Sequence, residues 1–307
     1  MKNNNQYSFT VITAAYNSRK YISKCILSVI RNKYNLKKIE HIIVDDGSTD
    51  DTYKVVKKFA DKFPHIKLYR KSNSNWGGVM NYVKENKLIH NDYVVICDSD
   101  DMLTKNAFYN ANKYIKDADF AIGGFYFWNG KHIKFPYYSY YYPFKRLMRN
   151  YKSEKIYAVS PVPFSYYIKN QMFYASPKFK ENILYQDIPL FFWAQRNAKI
   201  IANIPRIMGY YWSIRPGNSM SIESQEKYEN FEVFLNNMHY LESIDEPTFA
   251  FLYLLRTRRF FETVKQRNIK FTFHSNPSVK ILPWIFRWVM WIIYRTKVRK
   301  YFIIKKD

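Results

Sequence analysis

Cysteine is almost absent: Cys25 and Cys97 are the only two in 307 residues. Two thiols cannot build a disulfide framework, and neither has metal-ligand spacing. Both read as reduced core residues. Acidic residues are scarce too, 25 Asp+Glu against 49 Lys+Arg, which leaves a formal charge of +24. That imbalance implies an anionic partner: nucleic acid, an anionic membrane face, or phosphorylated substrates. No nucleic-acid-binding module accompanies the charge, and the lysine excess belongs to a bias of the whole chain, so no nucleic acid is assigned as a partner. No Gly-x-Gly-x-x-Gly follows any strand-like run, which counts against a dinucleotide-dependent oxidoreductase. No signal peptide is expected either. The start is polar, and the first apolar stretch breaks at Asn17, Arg19 and Lys20. A cytoplasmic location is therefore expected.

What is present is apolar and aromatic: 47% and 20% of residues, enough for a core in one large or two small domains. The chain is organised around Ile39 to Thr52. The apolar run Ile42-Ile43-Val44 stops at Asp45 and Asp46, then Gly47, Ser48 and, three residues on, Asp51. This pattern predicts a buried strand, a tight turn and a helix start, with Ser48 and Asp51 as a capping box. A second apolar run, Tyr93 to Cys97, ends in Asp98-Ser99-Asp100-Asp101. Several carboxylates on one short turn repel each other unless a cation or hydrogen-bond donors stand among them. Oxygen-only ligands at a strand end suit Mg2+ or Mn2+, with a substrate diphosphate supplying the remainder.

Together these stretches resemble a family 2 glycosyltransferase with the GT-A nucleotide-sugar fold. The matching residues are Thr13-Ala14-Ala15-Tyr16-Asn17, Val44 through Asp50, Asn75-Trp76-Gly77 through Asn81, and Asp98 through Asp101. The resemblance implies an α/β fold: a mainly parallel sheet flanked by helices, followed by a helical, aromatic-rich C-terminal region. It implies that Ala14, Tyr16 and Asn17 flank the base and that Asp46 accepts from the N3–H of uracil. It places Asn75, Gly77, Asp98 and Asp100 at the donor, and Asp100 and Asp101 on Mn2+ or Mg2+. Two departures stand out. The family's proline near Ala14 is missing, and Met80 stands where an arginine is usual. Lys71 and Lys84 are the basic residues available to compensate. Each motif residue also has an ordinary alternative as a cap, turn or packing residue.

Further on, Asp187 precedes Ile188 and Pro189, and Pro189 fits only the first turn of a helix. The resemblance makes Asp187 the catalytic base, and the helix dipole would favour its ionised form. A plain N-cap is the alternative. Arg215 is matched to a clamp on the leaving diphosphate. The tyrosines Tyr137, Tyr138, Tyr140, Tyr141 and Tyr142 suit either sugar stacking or packing between domains. The tail from Ile281 to Tyr294 is apolar around Arg287, shorter than the ~20 residues of a spanning helix. Trp284, Trp288 and Trp291 share one helical face, and Arg295, Lys297, Arg299 and Lys300 follow. That profile suits a helix on an anionic membrane surface. A helix packed on the catalytic domain, or a homodimer contact, is the alternative.

The domain plan is a catalytic domain over residues 1–220, with its nucleotide part at 1–127 and its acceptor part at 128–220. A helical region follows over 221–307, and the interface helix would lie at 279–304. The implied reaction moves a sugar from a UDP-sugar to an acceptor hydroxyl on a glycan, glycoprotein or lipid-linked precursor, with inversion. The location would be cytoplasmic, peripheral on the inner face of the cell membrane. A non-catalytic nucleotide-sugar-binding subunit and a sugar nucleotidyltransferase are the competing readings. The second lacks its glycine-rich basic loop after the first strand.

Overall fold

In the computed structural model the described residues are 6–128, 133–138, 162–181, 187–212, 235, 238–239, 241–243, 250, 261–273 and 302–304. The apolar runs of the first half become parallel strands, each returning through a helix. β1 (Phe9–Ala15) leads to α1 (Ile22–Ile30), and β2 (Ile39–Asp46) to α2 (Thr52–Lys62). β3 (Ile66–Lys71) leads to α3 (Asn75–Glu85), and then comes β4 (Tyr93–Ile96). These four strands lie in the order β3-β2-β1-β4, all parallel. Their carboxyl ends therefore share one edge, where ligands bind in open α/β sheets.

The second half is mixed. The short β5 (Met102–Leu103) precedes α4 (Ala107–Ile115), β6 (Phe120–Trp128) and β7 (Ile133–Tyr138). β8 (Tyr166–Lys169), α5 (Asn170–Ala175), α6 (Asp187–Asn197) and β9 (Ile201–Trp212) follow. The sheet continues β4-β8-β6-β9-β5, with β7 on β6. β8 runs antiparallel to β4 and β6, while β6 and β9 are parallel. Among the described residues the fold is thus a mixed nine-stranded α/β sheet whose first four strands are all parallel.

Side chains alternate across the strands, so the two faces carry separate cores. Ile12, Ile42, Val44 and Ile96 pack with Val79, Met80 and Val83 of α3 and Leu190, Phe191 and Ala194 of α6. Val11, Tyr93 and Val95 pack with Cys25 and Val29 of α1 and Phe108 and Ala111 of α4. Met238, Leu241, Ala250, Val264, Phe271 and Phe273 belong to the α3/α6 core. Of the C-terminal region, the described parts include α7 (Phe261–Gln266) and a two-stranded parallel sheet of β10 (Phe271–Phe273) and β11 (Phe302–Ile304). The sequence pattern did not announce this small sheet. Both cysteines are buried, free thiols, as expected. The Cys25 neighbour, and then burial, push the Cys97 thiol up, which keeps it protonated.

Two local expectations need correction. β2 does not stop at Val44 but runs through both aspartates, because its ladder with β3 continues to the pair Asp46–Lys71. The capping box does not form either. Asp51 makes no side-chain cap; it pairs instead with Arg19 at 3.1 Å and Lys54 at 3.0 Å. Asp50 caps the helix, its Oδ1 accepting from the Thr52 N–H at 2.9 Å. An aspartate reaches the amide two residues ahead more directly than one held by two cations.

Candidate active site

Three strand ends meet at the parallel edge, and short polar side chains tie them together. After β1, Ser18 Oγ lies 2.6 Å from Ser99 Oγ of the acidic turn, and the Ser18 N–H donates to Thr52 Oγ1 at 2.7 Å. Asn17 sits in the left-handed region, φ 46°, and its Oδ1 accepts from Thr49 N (2.9 Å) and Asp50 N (3.3 Å). Ser48 Oγ answers by accepting from Asn17 N at 3.0 Å. Gly47, at φ 74°, allows the turn that brings Ser48 back. Asn17 and Ser48 therefore brace the first loop against the second. Tyr16, about half exposed, projects beside them.

Asp45 and Asp46 point to opposite faces, as successive strand residues must. Asp45 is fully buried, with Arg70 Nε 3.0 Å from Oδ2 in a charge contact that misses hydrogen-bond direction. Arg70 also donates to the Ser48 carbonyl and lies over the Tyr53 ring. Asp46 is 2% exposed and accepts from Lys71 Nζ at 2.9 Å and from the Ser74 N–H. Burial raises its carboxyl above the usual carboxylate range, while Lys71 and the Ser74 and Asn75 amides pull it back down. Of the two lysines that might stand in for the missing arginine, only Lys71 is at this edge. Lys84 Nζ bonds the Ser176 and Pro177 carbonyls, and burial brings it down to about 8. Met80 itself is fully buried in the core.

Asn75 opens α3 with φ 62°. Gly77 faces the chain at Lys180, where a Cβ would stand 2.2 Å from the carbonyl oxygen. Trp76 reaches the acidic turn: its Nε1–H donates to Asp98 Oδ1 at 3.3 Å, and its ring meets Phe179 edge-on. The sequence placed Trp76 in the donor-side motif with packing as its ordinary alternative; it did not pair Trp76 with Asp98, because that partner lies on another strand end.

The acidic turn is closed by Asp101 N–H donating to the Asp98 carbonyl at 2.9 Å. Asp101 is buried, and Asp98 and Asp100 are partly exposed. β5 follows at once and pairs with β9, which carries Tyr210 and Tyr211 alongside. Asp187 is the first residue of α6 and half-buried. Two phenols link it to the turn. Burial, then Asp187 and Asp98, raise the Tyr166 hydroxyl, which also donates weakly to the Asp187 carbonyl at 3.5 Å. Burial, then Asp101, Asp187, Asp100 and Asp98, raise Tyr211. The sequence reading gave Tyr211 no role at the acidic turn.

The oxygen-only donors of this turn fit a hard divalent cation. Among the described residues no three His, Cys, Asp or Glu side chains converge on one point. A metal held here would draw its other ligands from a substrate diphosphate or water. Arg215 and the tyrosines at 140–142 lie outside the described residues, as does most of the tail.

Strand-end carboxylates after β2 and β4 on a GT-A-like sheet are matched by a family model. Residues 10–169 fit the one described as glycosyl transferase family 2. The chain belongs to glycosyl transferase family 2. It is 32% identical over 299 residues to an uncharacterised glycosyltransferase of Mycoplasma genitalium, covering 95% of this chain and 98% of the relative. Residues 1–349 of Staphylococcus aureus TarS, solved with UDP-GlcNAc, superpose with a TM-score of 0.62 at 19% identity, over 96% of this glycosyltransferase and 89% of TarS. TarS is a poly(ribitol-phosphate) β-N-acetylglucosaminyltransferase. A mannosyltransferase of Pyrobaculum calidifontis, solved with GDP-Man and Mn2+, gives a TM-score of 0.54 at 16% identity over 97% of this chain and 84% of that one. These structural likenesses establish the fold.

Proposed function

We propose that this glycosyltransferase moves a sugar from a UDP-sugar to an acceptor hydroxyl, with inversion and with Asp187 as the general base. The observation that carries the reading is that the acidic ends of β2 (Asp45-Asp46) and β4 (Asp98 to Asp101) lie on one edge of the parallel sheet, with Trp76 of α3 donating to Asp98 at 3.3 Å and Tyr166 donating to the carbonyl of Asp187 at the start of α6. One group of carboxylates is suited to the leaving diphosphate and one to the attacking hydroxyl. Asp46 accepts from the base, Tyr16 flanks it, and Asp98 with Asp100 addresses the ribose and diphosphate. Ala14, Asn17, Asn75 and Gly77 shape the donor loops, and Arg215 clamps the diphosphate. A divalent cation, Mn2+ or Mg2+, at Asp100 and Asp101 would stabilise the charge that develops on the diphosphate. The structural relative with UDP-GlcNAc supports a uridine nucleotide, and the one with Mn2+ supports the metal. For the acceptor, the surplus of 24 positive charges favours an anionic glycan or lipid-linked precursor.

The decisive experiment is nucleotide release from a panel of UDP- and GDP-sugars with Mn2+, Mg2+ or chelator. UDP release that needs the cation is expected. Asp187→Asn should lower turnover roughly 10²–10⁴-fold while donor binding and folding stay near normal. Near-normal turnover of that variant would exclude the base role.

A further inference from the structure

Met80 leaves the nucleotide edge without the arginine usual in the family, and one lysine has taken a fixed place there. Lys71 is the last residue of β3, paired in register with Asp46, the last residue of β2. Its ammonium has three N–H donors, and three acceptors surround it. They are Asp46 Oδ1 at 2.9 Å, the Ser72 carbonyl at 2.5 Å and the Ser74 hydroxyl. A lysine so saturated is not a free arm reaching for a diphosphate. It is a clamp on Asp46. Gly78 is part of the arrangement, since a Cβ there would stand 1.7 Å from Ser74 Oγ and 3.5 Å from Lys71 Nζ.

We propose that Lys71 sets the nucleobase preference of this site by holding Asp46 as an acceptor-only carboxylate, matched to a base that presents a ring N–H, as uracil does at N3. The inference rests on the reading of Asp46 as the base contact. A carboxylate has about four lone-pair positions. Lys71 takes one on Oδ1, the Ser74 N–H is shared at 3.1 Å from Oδ1 and 3.2 Å from Oδ2, and the Asn75 amide also bonds the group. Room remains for one further donor. Lys71 is the cation that faces Asp46, because Arg70 is engaged with Asp45 on the opposite side of the strand. Without Lys71, burial would be opposed by the Ser74 and Asn75 amides but by no cation at that oxygen, and the balance would move toward the neutral acid. A neutral acid presents an O–H, which suits the N3 acceptor of cytosine instead. Lys71 is a positioning residue in this scheme.

The test is calorimetric binding of UDP and CDP to the full chain at neutral pH. Wild type should prefer UDP. Lys71→Met should weaken UDP binding roughly 10–100-fold, the range for a hydrogen bond to a charged group. It should leave CDP binding equal or tighter, so that the preference shrinks. Lys71→Arg should restore it. Lys71→Gln keeps a donor and loses the charge. It should behave like Lys71→Met, and it serves as the reading if the methionine variant does not fold. A UDP preference unchanged in Lys71→Met or Lys71→Gln overturns the proposal. Asp46→Asn separates the two layers. If it leaves UDP binding intact, the base-contact reading fails. If it abolishes UDP binding while the Lys71 variants retain full preference, only the role of Lys71 fails.

Discussion

Thr13 has one hydroxyl hydrogen, and it goes to the Cys97 carbonyl at 2.7 Å. Toward His41 Nε2, 2.9 Å away, the hydroxyl can then only accept, which assigns a proton to Nε2. Burial, reinforced by the charge of neighbouring His65, brings His41 down to about 3. The folded state thus takes up its proton far later than the unfolded chain does at about 6.5. Protonation therefore favours unfolding. The fold should lose stability as pH falls from about 6.5 toward 3, by at most about 1.4 kcal/mol per pH unit from this group. Urea midpoints against pH measure it, and His41→Gln should flatten the slope. An identical slope in the variant would remove His41 as the cause. At this scale the acidic motifs were legible because each lies in one short stretch. The roles of Lys71, Trp76 and Tyr211 were not, because their partners stand on other elements.

Helix α3 shows what an element adds. Gly77, Asn81 and Lys84 recur at spacings of four and three and share one face. That face clamps residues 176–181, the stretch leading toward α6. The Asn81 amide acts as a strand neighbour would: Nδ2 donates to the Phe179 carbonyl at 2.9 Å and Oδ1 accepts from the Phe179 N–H at 2.9 Å. Nδ2 also reaches Glu181 at 3.1 Å. Removing that amide strands two buried peptide groups. Asn81→Ala should therefore cost about 1–3 kcal/mol of stability, read from chemical denaturation. Asn81→Asp should cost more, because a carboxylate oxygen would face the Phe179 carbonyl. An unshifted midpoint in both variants would show the clamp to be incidental. The motif of Asn75, Gly77 and Asn81 was visible in the sequence as a donor-side signature. Its bracing work on a segment a hundred residues away was not.

Across the whole molecule, the C-terminal region joins the core of the first half through Met238, Leu241, Val264 and Phe271. No described helix is long and apolar enough to cross a membrane. The aromatic and basic tail remains a proposal from sequence: a helix lying on an anionic membrane surface, each basic residue adding about 1 kcal/mol. Truncating it would also remove β11, the partner of β10. The better variant keeps the chain whole and replaces Trp284, Trp288 and Trp291 with serine. The full chain should float with anionic vesicles at low salt, and the variant should not. Flotation by neither protein, or equally by both, would end the proposal.

The sequence by itself determined the parallel strands, their order of appearance and the two acidic strand ends. Those signals are local: an apolar run, its length, and the polar residue that stops it. It also placed Asp187 at the start of α6, because proline tolerates only a helix's first turn. Tertiary structure decided the rest. It extended β2 by two residues through its ladder with β3, and it turned Ser48 back onto Asn17 instead of forward into a capping box. It chose Lys71 over Lys84 as the cation beside Asp46. Both lysines are near in sequence, but only strand register puts one of them opposite that carboxylate, and register depends on contacts between distant segments rather than on any single stretch.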